Sequence, residues 1–358
     1  RKELRSRCRR VHGHGPETPA DVLGRAATWC AEQEHEFDYY GSGALIEDFE
    51  AQVATLLGFP SARFMPSGKV AQNVALRVWS ERSGNAHFGM HPTSHLELHE
   101  ARAYEHLFAL RATLVGPANA PLLARHLRAV PEALSALVTE LPIREAGGQL
   151  PTWEELEELK AEAKRLDTRL HLDGARLWET AAYYGRPYDE ICAGFDSVYV
   201  SFYKGIGALS GAMLLGPADF VDEAAVWQKR CGAELYTLAP NVASAAMLLD
   251  ERLTRMPGYH ETALALAETV NAVDGLSTLP RVPHVNMMHV VLPAPSAAVL
   301  DARDRLAEES GVWLLDGVRD TDVAGHSRYE WYVGDAAAGF EPDEVGALFR
   351  RLLELVEA

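Results

Sequence analysis

The chain has 358 residues, of which 47% are hydrophobic and 24% charged, with a formal net charge of −17. That length exceeds one ordinary hydrophobic core and predicts two domains. The acidic balance excludes the basic footprint that nucleic-acid phosphates require. No apolar run approaches the ~20 residues of a membrane span, so neither nucleic acid nor membrane is an expected partner. Cys8, Cys30, Cys192 and Cys231 form no C-x-x-C pair. This sets aside zinc ribbons, thioredoxin-type redox sites and a disulfide scaffold, and predicts a reducing, cytoplasmic setting. Residues 1–10 are basic but lack the apolar core of a secretory signal. Without an initiator Met, the chain is expected to begin after the natural start.

Residues 1–43 read as an irregular arm with one helix over 19–35. Leu45, Ile46, Phe49, Val53, Leu56 and Leu57 form a helical stripe over 44–57, ended by Gly58. A short strand at 62–65 leads into Pro66-Ser67-Gly68, which opens a helix to about residue 79. Strands are expected at 111–115, 137–141, 169–172, 197–201 and 212–215, and helices at 152–166, 175–183 and 218–230. In the first of these helices Thr152 is the N-cap and Glu155 completes a capping box. Alternation of this kind predicts an α/β fold, a mostly parallel sheet with helices on both faces, over 44–240. Residues 241–358 read as a smaller α+β domain. It has two helices (242–253, 261–273), strands at 288–292, 312–315 and 329–333, and a last helix at 343–356.

Three segments carry chemistry. In His171-Leu172-Asp173-Gly174-Ala175-Arg176 an acid sits where a buried strand ends, the place where open α/β sheets bind ligands. A carboxylate there can hold a cationic ring nitrogen. In Ser197 to Gly207 a lysine, Lys204, follows an apolar strand and precedes Gly205 and Gly207. A free lysine is protonated and a poor nucleophile near neutrality; desolvation or a cationic neighbour makes it reactive, as in Schiff-base lysines. Pro66-Ser67-Gly68-Lys69 lies at a predicted helix N-terminus, whose free N–H groups and dipole favour an anion. Singly, an N-cap aspartate, a surface lysine and a Ser-Gly cap are the ordinary readings. Their order along the chain (anion site, strand-end acid, strand-end lysine) favours a cofactor.

With Leu4-Arg5-Ser6, Asp38-Tyr39-Tyr40-Gly41, Ser94-His95 and Gly147-Gly148 added in sequence order, the chain resembles the threonine aldolase and β-eliminating lyase family. These are pyridoxal 5′-phosphate enzymes of the aspartate-aminotransferase-like fold, fold type I. The resemblance runs through about the first 220 residues. It implies that Lys204 forms the Schiff base with the cofactor and that Asp173 pairs with the pyridinium nitrogen. Ser67 and Gly68 hold the phosphate, with Lys69 a candidate beside them. His95 lies against the ring face. Arg176 sits beside cofactor and substrate carboxylate, with Arg328 a further carboxylate clamp. Ser6 and Tyr40 line the pocket, and a homodimer or homotetramer with sites at the subunit interface is implied.

The chain also departs from the family. The run Glu140-Leu141-Pro142-Ile143-Arg144 lacks the histidine usually found before the Gly-Gly pair, and Tyr203 replaces a small hydroxyl residue before the lysine. The expected activity is cleavage of a β-hydroxy-α-amino acid to glycine and an aldehyde, with Lys204, His95 and Asp173 as the catalytic set. β-Elimination, aminotransfer and a non-catalytic cofactor-binding module are the alternatives. His87, His91, His95 and His99 recur every four residues, but Pro92 disfavours the single helix that a metal stripe would need, and no metal site is expected.

Overall fold

A computed structural model of the chain describes residues 1–34 and 36–357. The predicted helix at 19–35 is found as Pro19–Gln33, capped by Thr18; His35 lies outside the described residues. Two compact units form. The larger comprises Glu17–Ile143 and Leu150–Thr254, the smaller Arg1–Pro16, Arg144–Gln149 and Arg255–Ala358. Among the described residues thirteen strands follow in chain order: β1 (Arg9–Arg10), β2 (Ser61–Met65), β3 (His87–Met90), β4 (Arg111–Leu114), β5 (Ala136–Glu140), β6 (Arg169–Gly174), β7 (Ser197–Ser201), β8 (Ala212–Gly216), β9 (Ser277–Leu279), β10 (Met287–Leu292), β11 (Val312–Trp313), β12 (Val318–Asp320) and β13 (Ser327–Tyr332).

The larger unit holds the expected α/β sheet. Its seven strands run in the order β2-β8-β7-β6-β5-β3-β4. Pairs among β7, β6, β5, β3 and β4 are parallel, while β8 is antiparallel to both β2 and β7. Six strands therefore point one way and β8 opposes them. Central strands buried on both faces read as continuous apolar runs, as Ser197-Val198-Tyr199-Val200-Ser201 does. The helix Gly68–Ser83 packs Ala71, Val74, Ala75 and Val78 onto Phe88, Met90, Val138 and Leu214 of the sheet. Each of the larger side chains stabilises the fold by roughly 1.5–3 kcal/mol. The predicted capping box is present: Thr152 Oγ1 accepts from Glu155 N at 3.2 Å and Glu155 Oε2 from Thr152 N at 2.9 Å.

The smaller unit holds an antiparallel sheet, β12-β13-β10-β9, and the parallel pair β1-β11. One sheet face buries Val290, Tyr329 and Trp331 with Leu266, Leu306 and Phe349 of its helices. Gly147 and Gly148 adopt φ of 78° and 80°. A Cβ at Gly147 would come within 2.1 Å of the Leu279 carbonyl oxygen, so only glycine lets this segment lie against β9 and β10.

Two predicted elements are corrected. The helix expected at 175–183 is instead a 3-10 turn, Leu177–Glu179, followed by the short helix Ala181–Tyr184. Arg176 leaves helical geometry at φ −129° and ψ 27°, and the Thr180 hydroxyl donates to the Leu177 carbonyl, a local bond that competes with the helix ladder. The two helices expected at 242–253 and 261–273 are one, Ala239–Asn271, with Pro257 inside. Proline removes one ladder bond and crowds the preceding turn, at a cost of about 3 kcal/mol. Buried Leu248, Leu249 and Met256 before or beside it and Ala263 and Leu266 after it offset that cost. Among the described residues no helix is long and apolar enough to cross a membrane.

Glu50 ties the helix Ala44–Leu57 to the edge strand β2, its Oε1 accepting from Phe64 N at 2.6 Å. Burial pushes this carboxyl up to about 7 from its ordinary 4.5, against the Phe64 hydrogen bond and the Arg63 charge, which pull it down. The folded state thus keeps a proton that the unfolded chain has lost between pH 4.5 and 7. Stability falls as pH rises through that window, and the whole penalty stands above it. Glu50→Gln preserves the acceptor for Phe64 and should raise unfolding free energy at pH 8 by up to about 3 kcal/mol, with little gain at pH 4.5. Urea unfolding at both pH values checks this; an equal gain at both contradicts it.

Candidate active site

The strand directions decide where the candidate residues meet. β2, β3, β6 and β7 run the same way, and their carboxyl ends lead into Ser67, His95, Asp173 and Lys204 respectively. Met65 of β2 and Ser201 of β7 both stand opposite Ala212 of β8, while Gly174 of β6 stands opposite Val200 of β7. The three strands therefore end at one level, on the sheet edge where α/β proteins bind ligands.

At that edge the helix Gly68–Ser83 begins. Ser67 is its N-cap, with Oγ accepting from Val70 N at 3.4 Å. The hydroxyl proton of Ser67 stays available to a ligand, and the N–H groups of Gly68 and Lys69 lie in the first turn, beyond reach of any preceding helical carbonyl. A Cβ on Gly68 would fall 1.9 Å from Tyr199 Oη, so glycine is what allows the helix start to press on β7. Lys69 is exposed.

Asp173 is 1% exposed. Its Oδ2 accepts from Gln72 Nε2 at 2.7 Å and its Oδ1 from Ala175 N at 3.1 Å. Both donors are neutral, and among the described residues no Lys or Arg forms an ion pair with Asp173. Its neighbour His171 is fully buried, and burial pushes its imidazole down to about 4 even against the attraction of Asp173. His171 is thus neutral at physiological pH and does not balance the charge. Its Nδ1 meets Ser197 Oγ at 2.8 Å, which also accepts from Trp79 Nε1 at 2.8 Å.

Lys204 follows β7 on a loop held at both sides of the site. Ser201 Oγ donates to the Ala175 carbonyl at 2.7 Å and Ser210 Oγ to the Pro66 carbonyl at 2.8 Å. Ala208 N closes the loop on Phe202 O at 2.8 Å. The Lys204 ammonium lies 5.9 Å from the ring centroid of Tyr203, whose hydroxyl is 3.4 Å from Tyr199 Oη. Arg176 is half-buried on the turn after Asp173. His95 opens the short helix His95–Leu98 and meets Glu100 Oε1 through Nδ1 at 2.8 Å.

Tyr40, at φ 51°, is 56% exposed in the larger unit, its ring 5.5 Å from that of Tyr236. In the smaller unit Ser6 is exposed on the helix Lys2–Arg7 and donates to the Glu3 carbonyl at 2.9 Å. Arg328, on β13, pairs with Glu145 at 3.0 Å and lines a cavity of about 340 Å³ within that unit. Ile143, where the family histidine is missing, is 2% exposed. His87 stands in β3 and His91 in the turn after it, so the histidine repeat shares no helix; among the described residues no cluster of three His, Cys, Asp or Glu could hold a metal. Gln72, Asn73 and Glu100 were not expected at the site. The signal for the first two is polarity at buried positions: Gln72 and Asn73 interrupt an otherwise apolar helix face.

Residues 19–294 match the family model described as "Beta-eliminating lyase". The chain belongs to the beta-eliminating lyase family. The family is pyridoxal-phosphate-dependent and acts on amino acids. Among solved structures, this family member is 40% identical to a putative L-allo-threonine aldolase of Listeria monocytogenes, with a TM-score of 0.94 over 99% of this chain and 98% of that one. It is 38% identical to a putative aromatic amino acid beta-eliminating lyase/threonine aldolase of an Exiguobacterium species, with a TM-score of 0.92 over 98% and 99%. It is also 27% identical to the low specificity L-threonine aldolase of Escherichia coli K12, over 81% of this chain and 90% of that protein.

The residues present fit the family's cofactor. A buried carboxylate without a basic partner among the described residues needs a cation, and a protonated pyridine nitrogen is one. The helix start provides N–H donors for a phosphate, and Lys204 provides an amine on the loop that follows β7, the strand next to that of Asp173.

Proposed function

We propose that this protein is a pyridoxal-phosphate-dependent carbon–carbon lyase that cleaves a β-hydroxy-α-amino acid to glycine and an aldehyde. The observation that carries this reading is the buried Asp173 carboxylate, held by neutral donors at the end of β6, beside the strand that delivers Lys204. The strong likeness to proteins named as threonine aldolases supports the choice of reaction.

When bound, the cofactor supplies an electron sink for the charge left on Cα as the Cα–Cβ bond breaks. The rest is done by this chain. Ser67, Gly68 and Lys69 hold the phosphate through the Ser67 hydroxyl and the first-turn N–H groups. Asp173 holds the ring nitrogen in its protonated form, and Gln72 fixes the carboxylate so that it need not reorganise during the reaction. Lys204 is the covalent attachment point, and the hydrogen bonds of Ser201 and Ser210 hold its loop in place. Arg176 pairs with the substrate carboxylate. His95 would lie against the ring and would take the β-hydroxyl proton at Nε2, which suits a chain with Ile143 in place of the family histidine.

Incubation of the cofactor-loaded protein with L-threonine and L-allo-threonine tests the reaction. Equal amounts of acetaldehyde and glycine are the expected products. Pyruvate, 2-oxobutyrate or ammonia from a panel of amino acids, with no aldehyde from either threonine, would assign elimination instead.

A further inference from the structure

Glu100 carries a buried carboxylate beside His95. Its side chain is 1% exposed. Oε1 lies 2.8 Å from His95 Nδ1, and Oε2 accepts from Asn73 Nδ2 at 2.8 Å. The same Asn73 nitrogen donates to the Lys69 carbonyl at 2.8 Å. Both amide hydrogens of Asn73 are thus engaged, which fixes the amide's orientation and makes Glu100 an acceptor at Oε2. Acting as an acceptor at Oε1 as well, the carboxylate requires Nδ1 of His95 to carry the hydrogen. The neutral imidazole then keeps its lone pair on Nε2. The His95 side chain is 31% exposed and its Nδ1 faces the buried carboxylate, which leaves Nε2 as the ring nitrogen that Glu100 does not engage.

The backbone is distorted to place this group. Ala101 and Arg102, directly after Glu100, have φ of 51° and 53°. Two consecutive left-handed residues with side chains cost roughly 1–2 kcal/mol each. Such strain persists where the surroundings over-determine it, and it gathers at functional sites. The scaffold is shared as well: Gln72 holds Asp173 and the next residue, Asn73, holds Glu100, so one turn of the Gly68 helix fixes both carboxylates.

We propose that Glu100 is a positioning residue that locks His95 in the Nδ1–H tautomer and presents the Nε2 lone pair to the proton of the substrate's β-hydroxyl. The inference rests on the proposed role of His95 and names how this chain makes that histidine a proton acceptor. The other titratable groups around them include His99, whose ring centroid is 5.1 Å from that of His95; Glu97, which accepts from Tyr104 Oη at 2.6 Å; Tyr199, whose buried hydroxyl feels the charges of Asp173 and Glu100; and Lys69 on the Gly68 helix.

The test is Glu100→Gln in the cofactor-loaded protein, read by ¹⁵N histidine NMR and by steady-state kinetics with L-threonine. Asn73 donates toward position 100, so the new amide turns its oxygen to Asn73 and its NH2 to His95. The imidazole must then accept at Nδ1 and carry its hydrogen on Nε2. The expected result is that change of tautomer, a fall in kcat of roughly 10²–10⁴-fold, the range for lost general base catalysis, and a much smaller change in KM. His95→Asn should lower kcat by a similar factor, and Glu100→Gln should add little to it. If His95 remains Nδ1–H in the variant, the positioning proposal is overturned whatever the turnover. A tautomer change with kcat intact overturns instead the role of His95 as proton acceptor. Should the variant not fold, the native protein decides: an Nε2–H tautomer of neutral His95 overturns the proposal, and Nδ1–H supports it.

Discussion

Lys204→Ala should remove the Schiff-base absorption band of the cofactor-loaded protein and lower turnover by at least about 10³-fold, the scale on which loss of a covalent nucleophile is felt. The lysine stands at the end of β7, next to the strand carrying Asp173, on a loop pinned to Ala175 and Pro66. No other amine is fixed there: Lys69 is exposed on the neighbouring helix, and buried Lys160 is bound to Glu157 and the Ile191 carbonyl. Lys204→Arg should fail equally, because guanidinium keeps the charge but is not a nucleophile at neutral pH. Folding should survive both changes, since the half-buried side chain contributes little to the core. A Lys204→Ala protein that retained the absorption band and turnover would contradict the assignment.

Asp173→Asn should have effects of opposite sign in the cofactor-free and loaded protein. Without cofactor the carboxylate is a buried charge with no basic partner among the described residues, and replacing it by a neutral isostere relieves a desolvation cost. The variant's cofactor-free melting temperature should therefore match or exceed that of the native protein. With cofactor, the charge partner of the ring nitrogen is lost. Breaking one side of a buried pair costs roughly 3–5 kcal/mol, so kcat/KM should fall by roughly 10²–10³-fold, and the rise in melting temperature on adding pyridoxal phosphate should shrink. Calorimetry of both forms checks this. Equal destabilisation of both forms would mean that Asp173 serves only to cap the turn at Ala175.

The parts of the site built on central strands were legible in the sequence, because such strands leave a strong signal. Leu170 and Leu172 flank His171, and Val198, Tyr199 and Val200 precede Lys204; strands buried on both faces must read this way. The ends of those runs placed Asp173 and Lys204 on one sheet edge. β3 was not legible: in four residues that include His87 and Gly89 the strand preference of Phe88 alone is too weak a signal, and the strand is held by its two parallel neighbours. β1 is two residues whose pairing is set by β11, far away in sequence. Pro257 and Gly258 read as a helix end but sit inside a helix, because burial on both sides outweighs the lost ladder bond. Glu100 carried no local signal, since its role depends on a chain reversal through Ala101 and Arg102 that their side chains disfavour.

Borohydride reduction of the protein loaded with pyridoxal phosphate, followed by peptide mapping, tests the central claim most directly. The chain's lysines are Lys2, Lys69, Lys160, Lys164, Lys204 and Lys229, so the map is short. Reduction turns a Schiff base into a stable secondary amine that records which lysine formed it. The account predicts a phosphopyridoxyl group on Lys204 in near-stoichiometric amount. A label on Lys69, or scattered low labelling of the exposed lysines with none on Lys204, would contradict it.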